Sequence, residues 1–175
     1  INSNELNIEV CALIVNNNSS QAIKKAQYYN IPFEIIDHRL FNSREEFDNQ
    51  IINRLVKYQP YALFMAGWMR IASKVLTGAF PDRILNIHPS LLPSFKGSKA
   101  IRKALDEKVL ITGCSVHLVS EEVDSGEILI QSAVPILNTD DEDKLRQRIQ
   151  IQEHKIVPIG ISLAAHKYWI KRDHG

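Results

Sequence analysis

Short apolar runs alternate with stretches of helical period along the first half of this chain. Asn7 to Val15 is rich in β-branched and apolar residues and ends in Asn16-Asn17-Asn18-Ser19-Ser20, the pattern of a strand running into a helix cap. A helix is expected from about Ser20 to Tyr29, then a short strand from Pro32 to Asp37. Ser43 and Glu46 have capping-box spacing and open a helix whose Phe47, Ile51, Ile52 and Leu55 share a face, with Pro60 ending it. Tyr61 to Ala66 is a continuous apolar run, as expected of a strand covered on both faces. Ser73 to Phe80 predicts a short helix and Arg83 to His88 the next strand.

The pattern changes after residue 88. Lys99 to Glu107 predicts a helix, but Gly113 to Val119 alternates and is followed by Glu127 to Ile136, with a turn at Glu121 to Gly126 between them. That arrangement predicts antiparallel pairing. From Asp140 a long helix carries Leu145, Ile149 and Ile156 on one face, and Pro158 is expected to kink or restart it before it continues to about Trp169. The fold class that follows is α/β: a doubly wound, mostly parallel sheet with an antiparallel extension and a long C-terminal helix.

At 175 residues the chain suits one domain with a proper core. A formal net charge of +1 gives no electrostatic case for nucleic acid. Cys11 and Cys114 lack metal-ligand spacing and read as small core residues. No apolar run approaches the length of a membrane span and no signal peptide is visible, so a cytoplasmic protein without membrane association is expected. The chain begins at Ile1, with polar Asn2-Ser3-Asn4 before any strand.

The candidate chemistry lies in Asn86-Ile87-His88-Pro89 and in the turn Val123-Asp124-Ser125-Gly126. Asn86 and His88 are two apart in a strand, so their side chains project to the same side, and Pro89 ends that strand. Open α/β sheets keep their active sites at the carboxyl ends of strands. An amide can donate to a developing oxyanion, an imidazole can exchange a proton near neutral pH, and a carboxylate beside it favours the charged ring. On pattern alone, the same residues equally suit a polar strand end and an Asp that satisfies its own turn. His117 shares a face with Ser115 and Val119 and reads first as a core histidine bonded to the backbone. His38, His154, His166 and His174 show no metal-ligand spacing, and no metal is expected. Arg70 follows an apolar strand and suits an anion or plain solvent. Gln150 and Glu153, three apart on the last helix, suit ribose hydroxyls or an ordinary polar surface.

The run Asn86 to Pro93, then Ser94-Phe95-Lys96-Gly97, Gly113-Cys114-Ser115-Val116-His117, Val123-Asp124-Ser125-Gly126 and Gln150-Ile151-Gln152-Glu153-His154 resembles the phosphoribosylglycinamide formyltransferases, also called glycinamide ribonucleotide transformylases. The resemblance spans nearly the whole chain and implies a single formyltransferase domain over residues 1–175. It implies transfer of a formyl group from the co-substrate 10-formyltetrahydrofolate to the amine of glycinamide ribonucleotide in purine biosynthesis. Asn86, His88 and Asp124 would be catalytic. Arg44, Met69, Arg70, Ile71 and Ala72, with Asn86, would bind the folate, and Gln150 and Glu153 the nucleotide. The partners implied are small molecules, on a monomer or homodimer.

Members of that family begin with a strand and a Gly-rich loop of the form G-x-G-S-N that holds the nucleotide phosphate. Nothing like it precedes Asn7, so an N-terminally truncated domain is expected. Formyltetrahydrofolate deformylase, a hydrolase with the same three groups, usually carries a histidine where Pro89 stands, and Pro89 favours the transferase. Methionyl-tRNA formyltransferase would need a further RNA-binding domain, for which the chain has no room. A non-catalytic folate- or nucleotide-binding module is the alternative from another class.

Overall fold

The computed structural model describes Leu6 and residues 8–170; the expected strand start at Asn7, the lead Ile1 to Asn4, and His174 lie outside these. In chain order the elements are β1 (Leu13–Val15), α1 (Gln21–Tyr28), β2 (Phe33–Ile35), α2 (Arg44–Leu55), β3 (Leu63–Met65), α3 (Lys74–Ala79), β4 (Ile84–His88), α4 (Ala100–Asp106), β5 (Ile111–Leu118), β6 (Ile128–Pro135) and α5 (Glu142–Ala164). They divide into two compact units. The first comprises the residues up to Ala62 together with Ile71–Pro81, and the second Leu63–Arg70 with the residues from Asp82 onward.

In the first unit β1 and β2 pair in parallel. β1 is shorter than the apolar run from Asn7 implied: Ile8 and Val10 are exposed, and only Leu13 to Val15 have a ladder partner in the three-residue β2. β-branched composition yields a strand only where there is a neighbour to pair with. Ser20 caps α1 through the Ala22 N–H at 3.3 Å. At α2 the Ser43 hydroxyl accepts the Glu46 N–H at 3.1 Å, while the Glu46 carboxylate reaches one residue further back than a capping box requires and accepts from Asn42 N at 2.9 Å. Phe47, Ile51 and Leu55 are buried and Ile52 half-buried, as the helical period predicts. The buried Asp48 carboxylate accepts the Ser73 N–H at 2.6 Å, tying α2 to the start of α3.

The second unit holds a four-stranded sheet in the order β3-β4-β5-β6. β3 runs parallel to β4, and β5 and β6 extend the sheet antiparallel, as the alternation after residue 113 predicts. The fold is thus α/β with parallel and antiparallel parts and a long C-terminal helix. β3 differs from expectation in one respect. It is an edge strand of its sheet and Phe64 is exposed, so it is not covered on both faces.

α5 packs Leu145, Ile149 and Ile156 against Cys114, Val116 and Val134 to form the main core of this unit. Cys114 is buried as expected; Cys11, in the first unit, is only half-buried, and neither forms a disulfide. α5 does not restart at Pro158: it runs on as one helix to Ala164 before a π-helical turn over Ala165–Trp169. A proline removes one hydrogen bond to the carbonyl four residues back, here that of exposed His154, where water can replace it. Two residues on, Gly160 presses the helix onto β5, and a Cβ there would come within 2.6 Å of Val116 Cγ1. No helix among the described residues is long and apolar enough to cross a membrane.

Candidate functional site

β4 ends at His88, and the period of two places Asn86 and His88 on one side of it. In the antiparallel ladder, Asn86 lies opposite His117 and His88 opposite Ser115. Side chains of such opposed pairs are neighbours. The Asn86 amide nitrogen therefore meets His117 Nε2 at 3.1 Å, and the other ring nitrogen of His117, Nδ1, donates to the Leu118 carbonyl at 2.8 Å. The β5–β6 register shifts at Val116/His117, beside this pair.

Asp124 arrives from the β5–β6 turn. It adopts a left-handed backbone, φ 49°, a conformation that costs energy for a non-glycine residue and is held by its surroundings. Gly126 lets the turn close: a Cβ there would lie 1.8 Å from the Leu118 carbonyl oxygen. The Asp124 carboxylate spans both histidines, with Oδ2 3.3 Å from His88 Nδ1 and Oδ1 3.5 Å from His117 Nε2, while Gly97 N–H donates to Oδ2 at 2.8 Å. Burial by itself would raise the carboxyl; the adjacent His117 and His88 rings and the Gly97 N–H outweigh it and hold Asp124 at about 2. It is a fixed anion between two imidazoles.

The loop from Pro89 to Gly97 completes the surroundings. His88 Nε2 bonds the Phe95 carbonyl at 2.9 Å. The loop is pinned from below by Ser115, whose hydroxyl donates to Ser90 O at 2.6 Å and accepts from Leu92 N at 3.1 Å and Gln131 Nε2 at 2.8 Å. Gln131 also donates to Leu92 O at 2.9 Å, and Lys96 Nζ donates to the Ser125 hydroxyl at 2.6 Å. Loop and turn thus hold each other in register around His88 and Asp124.

The structure brings Asn86, His88 and Asp124 together and adds His117, whose place in an alternating strand by itself suggests a core histidine. Both features coexist: the ring is buried and bonded to backbone on one side, and it faces Asn86 and Asp124 on the other. The available signal was its shared face with Ser115, but the pairing that matters is set by strand register. Gln150 and Glu153 lie on α5 and do not hydrogen-bond to this group. Gln150 is exposed and Glu153 half-buried, with burial raising its carboxyl. Met69 and Arg70 are exposed residues of the second unit. Arg44 and Ile71, exposed, and Ala72, buried, belong to the first. No group of three His, Cys, Asp or Glu side chains suited to a metal ion occurs among the described residues.

An amide, an imidazole and a carboxylate thus gather by the carboxyl end of β4, where open α/β sheets keep their sites. The chain belongs to the formyl transferase family, whose profile matches residues 1–161. It is 42% identical over 154 residues to the human trifunctional purine biosynthetic protein adenosine-3, covering 87% of this chain and 15% of that protein. To phosphoribosylglycinamide formyltransferase of Escherichia coli K12 it is 36% identical over 160 residues, covering 91% of this chain and 76% of the relative. Among solved structures, phosphoribosylglycinamide formyltransferase from Bacillus halodurans superposes with a TM-score of 0.89 at 34% identity, covering 94% of this chain and 84% of that one. Glycinamide ribonucleotide transformylase 1 from Symbiobacterium toebii gives 0.85 at 39% identity, with 87% and 72% covered.

Proposed function

We propose that this chain transfers the formyl group of 10-formyltetrahydrofolate to the amine of glycinamide ribonucleotide. The observation that carries the reading is the Asp124 carboxylate 3.3 Å from His88 Nδ1 at the end of β4, with Asn86 on the same side of that strand. Its relatives' names supply the reaction, and the match to them over most of this chain supports carrying it across.

The amine attacks the formyl carbon and the carbonyl oxygen becomes an oxyanion. Asn86 and His88 donate to that oxygen, and the Asp124 anion stabilises the charged His88 ring through the step. The bond from the formyl carbon to the folate nitrogen then breaks, and the proton lost by the attacking amine ends on that nitrogen. Donation from His88 Nε2 requires exchanging its Phe95 carbonyl partner for the substrate oxygen, so the loop from Pro89 to Gly97 yields as substrate enters. Met69 and Arg70, exposed in the same unit as the triad, are available to the folate, and Gln150 and Glu153 on α5 to the nucleotide. Residues 1–175 are read as part of one formyltransferase domain.

The test is to incubate the chain with 10-formyltetrahydrofolate, with and without glycinamide ribonucleotide, and to follow both tetrahydrofolate and the formylated amine. Tetrahydrofolate release that depends on the ribonucleotide and equals the formylated product is the expected result. Release without the ribonucleotide identifies a hydrolase instead, and folate binding without turnover identifies a binding module.

A further inference from the structure

Lys96 sits between two loop residues that touch the reacting groups: the Phe95 carbonyl bonds His88 Nε2 at 2.9 Å, and the Gly97 N–H donates to Asp124 Oδ2 at 2.8 Å. Its own side chain is half-buried, and Nζ donates to the Ser125 hydroxyl at 2.6 Å. An ammonium only donates, and Ser125 gives its single hydroxyl hydrogen to the Val123 carbonyl at 3.1 Å. The bonds therefore run in one direction, from Lys96 through Ser125 to Val123, and hold both chain neighbours of Asp124. The main chain of Lys96 is tied as well, its carbonyl accepting from Lys103 Nζ of α4 at 3.1 Å. The residues on either side differ. Gly97 is left-handed, φ 76°, at no steric cost to a glycine. Phe95 is also left-handed, φ 56°, which costs energy in a bulky residue, so a turn that withdraws its carbonyl from His88 can relieve strain.

We propose that Lys96 is a positioning residue whose clasp on Ser125 is the fixed point about which the loop opens: on one side the Phe95 carbonyl leaves His88 for the substrate oxygen, and on the other the Gly97 N–H stays on Asp124. The two demands oppose each other. His88 Nε2 must lose its loop partner at the moment when Asp124 must keep its own, and those partners are two residues apart in one segment. Without an anchor between them, a loop that releases Phe95 also withdraws Gly97, and Asp124 Oδ2 loses the N–H that holds it toward His88. Lys96 lies between the two, and its partner Ser125 adjoins Asp124, so the clasp divides the part of the loop that moves from the part that stays.

The kinetic outcomes rest on the formyl-transfer reading; the amide-exchange outcome does not. Followed by nitrogen-15 NMR of the full chain without substrate, the Gly97 amide should exchange at least about tenfold faster in Ser125→Ala than in the wild type. Unchanged exchange there would overturn the proposal, and because this variant removes a single hydroxyl it reads the clasp even if Lys96→Met fails to fold. With both substrates present, Lys96→Met and Ser125→Ala should each lower kcat about 5- to 50-fold and leave both KM values within about threefold, since a displaced catalytic group costs rate rather than ground-state binding. Lys96→Arg keeps a cationic donor of similar reach and should stay within about threefold of wild type. The double variant Lys96→Met/Ser125→Ala should be at most about twofold slower than the slower single variant, because both changes remove the same bond. Losses that multiply, a loss carried by KM alone, or a Lys96→Arg no faster than Lys96→Met would mean that Lys96 only fills space, and would overturn the positioning role. A wild-type chain that transfers no formyl group sinks the functional reading and leaves the Gly97 amide to decide the clasp.

Discussion

Asp124 carries three constraints at once: a left-handed backbone, a carboxylate shared between His88 and His117, and a Gly97 N–H on the same oxygen that faces His88. Replacing it with asparagine keeps the size and removes the charge that stabilises an imidazolium at His88. Formyl transfer by Asp124→Asn, like that by His88→Ala, is expected to fall by about 100-fold or more, with folate affinity nearly unchanged. Single-turnover rates alongside equilibrium folate titration check this, and wild-type turnover in either variant would refute the catalytic reading. The same carboxylate also links stability to acid. Its folded-state value is lowered from an ordinary 3.8 to about 2, so its contribution is fully present above about pH 4 and is lost as pH falls toward 2. That contribution is worth about 2 kcal/mol. Urea unfolding at pH 6 and pH 2.5 should show the wild type losing about that much more than Asp124→Asn. At this scale Asn86 and His88 were legible from a period of two and a following proline. His117 was legible only in part, because alternation assigns a face but not the residue across the ladder.

Elements deliver these residues, and two of the joins are sharply tested by substitution. Gly126 has no room for a side chain against the Leu118 carbonyl, so Gly126→Ala must push the turn off the end of β5. The expected cost is about 1–3 kcal/mol, with a fall in kcat because Asp124 moves with the turn. Thermal melts and steady-state rates on one sample check both. The second join lies where β6 leads into α5. Asp140, its side chain 1% exposed, takes a two-pronged bond from Arg148 at 2.6 and 2.8 Å and accepts from Leu137 N at 2.8 Å. Arg148→Ala leaves that carboxylate without its charged partner and should destabilise by about 1.5–3 kcal/mol, measured by chemical denaturation. Helix period, caps and turn residues made most elements legible with boundaries close to those observed. The exceptions have a common cause. The length of β1, the open face of β3 and the continuity of α5 through Pro158 depend on what lies beside each segment, and a local pattern does not contain that.

On the scale of the whole molecule the second unit has the larger core, with β4 and β5 paired on both sides and α5 laid over them. Among the described residues β1 and β2 pair only with each other. Amide exchange tracks local opening, so β4 and β5 amides should be the slowest in the chain, exchanging at least about tenfold more slowly than those of β1 and β2. Hydrogen-exchange mass spectrometry under native conditions reads this directly, and equal protection in the two sets would contradict it. By itself the sequence determined the alternation of elements, the antiparallel turn in the second half, the amphipathic last helix and the family, because each is written in local period, turn chemistry or motif. Only the tertiary structure decided that Asp124 reaches both histidines, that His117 faces Asn86, and that Phe95 and Gly97 close over His88 and Asp124. Those contacts join residues 7 to 36 positions apart in the chain. Their geometry is set by strand register and by the polar network under the loop from Pro89 to Gly97, neither of which any local stretch of sequence specifies.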